Sequence, residues 1–126
     1  MKFSIDKHDK YVLIQIDEDR LDTLFAPALK SEFVVLNAAG FRNMIVDLSK
    51  VKYVDSSGLS SILIGNRLCS NVGGSFVVSC LQPNVQKLIE ISQLQTILNI
   101  VPTNQEATDF VFIEEIERDL SRNEDV

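Results

Sequence analysis

The chain has 126 residues, the size of one ordinary domain, and its 45% hydrophobic and 24% charged residues suit a folded globular protein rather than a disordered or fibrous one. With 12 Lys and Arg against 18 Asp and Glu the formal charge is −6, which repels a polyanionic backbone, so no nucleic acid is expected to bind directly. No stretch approaches the roughly 20 apolar residues of a membrane span, and the N-terminus lacks the apolar core of a secretory signal, so a cytoplasmic protein with no membrane span is expected.

Phe3 and Ile5, the charged run 6–10, and then Tyr11 to Ile16 predict two strands joined by a turn, an antiparallel hairpin. His8 falls in that turn, with no second His or Cys nearby to make a metal site. After an acidic loop, Leu24, Phe25, Ala28, Leu29, Phe33 and Leu36 recur at helical spacing, with Pro27 tolerable in the first turn and Gly40 closing the helix. Met44 to Leu48 reads as a buried strand, followed by a loop through Tyr53 and Val54. Asp55 opens a second helix reaching about Asn71, ended by Gly73-Gly74, and Ser75 to Leu81 is the next strand. Pro83-Asn84 starts a third helix carrying Val85, Leu88, Ile89 and, near its end, Ser92. Ile97 to Val101 is a last strand, and Thr103 with Glu106 makes a capping box for a terminal helix. Strands alternating with helices predict an α/β fold. The expectation is one domain over 1–120, a mixed four- to five-stranded sheet with about four helices packed on it, and a frayed polar tail at 121–126. Cys69 and Cys80 lie in apolar segments without CxxC spacing and are expected to stay reduced.

The chemistry concentrates in Asp55-Ser56-Ser57-Gly58-Leu59. At a strand-to-helix turn the unpaired N–H groups and the positive end of the dipole favour an anion, and a phosphate on serine would be well placed. Asp, Ser and Gly also cap any helix, so the peptide by itself marks only a helix start. On a helical projection Leu59, Ile62, Leu63 and Cys69 cluster as the core side. Ser57, Ser61, Ile64 and Leu68 share the other, a water-facing stripe whose two large aliphatics suit a docking surface.

The run from Asp47 through Asp55-Ser56-Ser57-Gly58-Leu59, followed by a helix, Gly73-Gly74 and a Val-rich strand, resembles the STAS family, and within it the anti-sigma factor antagonists. The resemblance covers about the whole chain, from the opening hairpin through Leu21-Asp22 to the Pro83-Asn84-Val85 helix and the last strand. It implies that Ser57 is phosphorylated by an anti-sigma factor with serine kinase activity, using ATP, and that a metal-dependent serine phosphatase removes the group. The unmodified form binds the anti-sigma factor and releases the sigma factor; the phosphorylated form lets go. The implied partner surface comprises Asp22, Asp55, Ser56, Gly58, Ser61, Ile64 and Leu68, with no catalytic residue, cofactor or metal. Asp19 stands where the family usually has glycine, a place an aspartate tolerates even at positive φ.

An enzyme is not expected. No His or Cys partners a nucleophilic serine, no Walker lysine stands near Gly73-Gly74, and no metal-ligand cluster occurs. The competing reading is a non-switching STAS scaffold subunit of a stress-sensing or lipid-transport assembly. In the terminal helix Phe112, Ile113, Ile116 and Leu120 make a second apolar stripe beyond Ala107, Phe110 and Val111, expected to pack on the protein's own sheet in preference to serving as a dimer or partner surface.

Overall fold

Val12, Ile14 and Ile16 are fully buried while Leu13 and Gln15 are half-buried, a period of two that places alternate side chains on the two faces of a sheet. The computed structural model describes residues 3–124. Its elements run β1 (Phe3–Lys7), β2 (Val12–Ile16), β3 (Arg20–Leu21), α1 (Ala26–Ala38), β4 (Met44–Asp47), β5 (Tyr53–Val54), α2 (Ser56–Asn71), β6 (Phe76–Ser79), α3 (Pro83–Ile91), a 3-10 turn at Leu94–Thr96, β7 (Asn99–Val101) and α4 (Asn104–Glu124). The main sheet has the order β1-β2-β4-β6-β7; β1 is antiparallel to β2 and every other pairing is parallel.

One face of the sheet, with Ile14, Val46 and Val78, is covered by Leu29, Phe33 and Leu36 of α1, Ile62 and Cys69 of α2, and Val85 and Ile89 of α3. On the other face Ile45 and Val77 meet Ala107 and Val111 of α4, with Leu13, Val101 and Phe110 at the margin. Burial pushes the Cys69 thiol up to about 12, so it stays protonated.

The main sheet and four α-helices appear as expected, and Thr103 Oγ1 accepts from the Glu106 amide at 3.1 Å, one of the two bonds of the expected capping box. Boundaries differ where the backbone turns early. Leu24 lies ahead of α1 and is 91% exposed, so it takes no part in that helix's buried stripe of Ala26, Leu29, Phe33 and Leu36. Gln93, at φ 60°, leads into the 3-10 turn, so Ile97 is exposed and the last strand begins at Asn99. Cys80, also at φ 60°, ends β6 at Ser79. α4 extends through Glu124, into the segment expected to fray; residues 125 and 126 lie outside the described residues.

α4 is fastened at both ends of the central strands. At the C-terminal edge Asn104 donates to the buried Asp47 (2.9 Å) and accepts from Ser79 Oγ (2.6 Å). About three helical turns on, at the N-terminal edge, buried Glu115 accepts from Arg42 Nε (3.1 Å) and Nη2 (2.6 Å), Asn43 Nδ2 (2.6 Å) and Arg118 Nη1 (3.1 Å). Burial raises the affinity of Glu115 for its proton, but the Asn43 hydrogen bond and the two arginines outweigh it and hold the carboxyl below its ordinary range. With α4 held by Ala107, Val111 and Glu115, the stripe of Phe112, Ile113, Ile116 and Leu120 points outward and is exposed, contrary to the expectation that it packs on the sheet.

Candidate functional site

β3 and β5, too short to carry a hydrophobic period, pair in parallel as a small separate ladder, Arg20 opposite Tyr53 and Leu21 opposite Val54. The Asp19 carbonyl accepts from the Lys52 and Tyr53 amides, and the Leu21 carbonyl accepts from the Asp55 amide. Arg20 lies over the Tyr53 ring, 4.4 Å from its centroid, and 3.6 Å from an Asp22 oxygen. The loop before α1 is thereby laid across the start of α2. Asp19 sits in ordinary backbone, since Cys80 and Gln93 are the non-glycine residues with positive φ among those described.

Asp55 is the N-cap of α2 and uses both carboxylate oxygens. Oδ1 accepts from the Gly58 amide (2.9 Å), closing the helix start, while Oδ2 accepts from the Thr23 amide (3.1 Å) and hydroxyl (3.2 Å) across the gap. These bonds, led by that from Gly58, hold the Asp55 carboxyl below its ordinary range, and the site carries a carboxylate at neutral pH. Ser57 Oγ lies 3.2 Å from Thr23 Oγ1. Ser57 is half-buried against the loop; Ser56 beside it is exposed.

Gly58 permits this approach. A Cβ there would stand 2.2 Å from the Leu21 carbonyl oxygen and 2.8 Å from Val54 Cγ1. Gly58 is buried, so it shapes the site from beneath rather than offering a contact surface. Ser61 departs further from expectation: it is 0% exposed, its hydroxyl donating to the Gly58 carbonyl at 2.7 Å. The reason is close packing of strands and helix on this side of α2: Gly58 admits Leu21 and Val54, and a Cβ on Gly65 would meet the rings of Phe76 in β6 and Phe33 in α1 at 2.5 and 2.9 Å, with Ser61 between the two glycines. The buried side is therefore Gly58, Ser61, Ile62, Gly65 and Cys69, with Leu59 and Leu63 at its edge. Leu68 is half-buried against the main core and its carbonyl accepts from Asn37 at 3.4 Å, so it does not belong to a free stripe. Ile64 is half-buried outside that core. Asp22 caps its own loop, Oδ1 accepting from the Leu24 amide at 3.1 Å; α1 itself has no side-chain cap.

The surface thus joins Asp22, Thr23, Asp55, Ser56 and Ser57, with Ile64 two turns along α2. Thr23 was not singled out from the sequence, although it directly follows the Leu21-Asp22 pair. Two recesses flank the turn. A cleft of about 610 Å³ toward α3 is lined by Lys52, Tyr53, Ser56, Leu59 and Leu88 among others, and a smaller one of about 230 Å³ lies toward α1. No group of His, Cys, Asp and Glu suited to a metal ion occurs among the described residues, and none of their helices is long and apolar enough to cross a membrane.

Among solved structures, a candidate anti-sigma factor antagonist from Thermotoga maritima superposes with a TM-score of 0.77 at 23% identity, covering 86% of this chain and 93% of that one. The Bacillus cell fate determinant SpoIIAA in its phosphorylated form gives a TM-score of 0.68 at 22% identity, covering 86% of this chain and 98% of that one. In sequence the chain is 28% identical over 107 residues to BtrV of Bordetella bronchiseptica, a candidate anti-sigma factor antagonist, across 85% of this chain and 91% of that protein. The STAS domain family model matches residues 2–107, most of the chain. With that match and this fold, the protein belongs to the STAS domain family.

Proposed function

We propose that the protein is an anti-sigma factor antagonist, a binding module rather than an enzyme, switched by phosphorylation of Ser57. The observation that carries the reading is Ser57's hydroxyl, held 3.2 Å from Thr23 at the entrance of α2, between the Asp55 cap and the loop from β3. Unmodified, the surface of Asp22, Asp55, Ser56 and Ile64 binds an anti-sigma factor with serine kinase activity. In the transfer, Ser57 Oγ bonds to the γ-phosphorus of ATP, the bond from that phosphorus to the bridging oxygen breaks, ADP leaves, and the hydroxyl proton passes to a base on the kinase. A serine phosphatase reverses the state by hydrolysing the new ester. The phosphoryl group adds about −1.5 to −2 charges to a surface that already holds the Asp55 carboxylate, and it opposes docking without unfolding the domain.

Phosphopeptide mapping of the chain isolated from its own cells tests this, together with identification of what co-purifies. The expected result is phosphate on Ser57 rather than Ser56, and incorporation from ATP by the co-purifying kinase that is lost in Ser57→Ala and kept in Ser56→Ala. The opposite pattern removes the assignment. The exposed stripe on α4 favours a second reading, a non-switching scaffold subunit, for which Ser57 stays unmodified and the chain sediments within a larger assembly.

A further inference from the structure

The recess beside Ser57 is walled by the first turns of α1. Ala26, Pro27 and Lys30, spaced i, i+1 and i+4, face Ser57 and Ser60 of α2, with Thr23 at one end. Lys30 is half-buried there, and no ion pair engages it among the described residues. The recess is about 230 Å³, several times the roughly 30 Å³ share of one water, and so admits a phosphoryl group.

We propose that Lys30 and Thr23 hold the phosphoryl group of modified Ser57, so that the switch carries its own counter-ion. This rests on Ser57 being the modified residue. Both Thr23 donors rest on Asp55 Oδ2: the amide is fixed there by the backbone, while the hydroxyl, 3.2 Å from Ser57 Oγ as well, can rotate from that oxygen to a phosphoryl oxygen. The Lys30 ammonium supplies a point charge with three donors from the opposite wall. The modified loop and helix are then tied together more tightly than the unmodified pair, and a phosphatase must dislodge the lysine to reach the ester.

The test uses the full chain with phosphoserine installed at position 57 by genetic-code expansion, and follows the phosphorus NMR signal against pH. An ammonium within reach favours the dianion, so the second acid dissociation constant of the phosphoserine should fall about 10-fold in Lys30→Met. Lys30→Arg should restore most of it, and Lys52→Met, on the other side of the turn, should leave it unchanged. An unchanged constant in Lys30→Met overturns the clamp, as does an equal fall in Lys52→Met, which would mark a diffuse field. Phosphopeptide mapping is a separate readout. Phosphate found on another residue overturns the functional reading whatever the titration gives, and an unchanged titration with phosphate on Ser57 overturns the clamp alone.

Discussion

At Gly58 local propensity and tertiary packing oppose each other. Alanine is the better helix former by about 0.8 to 1 kcal/mol, yet its Cβ would fall 2.2 Å from backbone oxygen at Leu21, which cannot swing aside as a side chain could. Gly58→Ala is expected to lower stability by about 1 to 3 kcal/mol in chemical denaturation. It should also weaken amide protection at Thr23, as the loop lifts from the helix. The Asp55 cap was legible because Asp followed by Ser-Ser-Gly at a strand-to-helix turn is a helix-start signal, whereas Ser57 was singled out by the family resemblance. The burial of Ser61 was not legible, because a polar residue one turn beyond Ser57 looks solvent-facing until its side of α2 is seen to be covered, with Leu21 and Val54 on Gly58 and the Phe33 and Phe76 rings on Gly65.

Small residues also explain what was misread at the level of elements. Hydrophobic periodicity weighs large side chains, so it rotated the buried side of α2 toward Leu59 and Leu63, whereas α1 packs where side chains are smallest. β3 and β5 went unseen for a related reason: two-residue strands have no period to detect, and their pairing depends on segments over thirty positions apart. The corrected faces separate two aliphatics first expected to behave alike. Ile64→Ser should change stability by less than about 1 kcal/mol while, on the proposed function, sharply reducing affinity for the anti-sigma kinase. Leu68→Ser should lower stability by about 1 to 2 kcal/mol, since that side chain packs against the core. Thermal melting with titration calorimetry on each single variant distinguishes them, and equal effects on affinity and melting in both would remove Ile64 from the docking surface.

Over the whole molecule, three helices cover one face of the sheet and α4 alone covers the other. Its hold at Glu115 is electrostatic as well as apolar. The folded carboxyl titrates below its ordinary range, so its contribution is present above the unfolded value and is lost as pH falls through the folded one. Glu115→Gln should lower stability at neutral pH by about 1 to 3 kcal/mol and flatten the dependence of melting temperature on pH through the carboxylate range. An unchanged pH profile would show that the arginines do not stabilise the charged form. The family match ends at Ala107, only one turn into α4, while Val111 and Glu115, which complete the cover over Ile45 and Val77, lie beyond it. The stretch by which the chain is recognised and the unit that folds are therefore different objects. A module cut at the recognised boundary would carry the whole turn from Asp55 to Gly58 yet leave one side of its sheet bare to water, so transplanting the proposed switch into another protein requires carrying α4 with it.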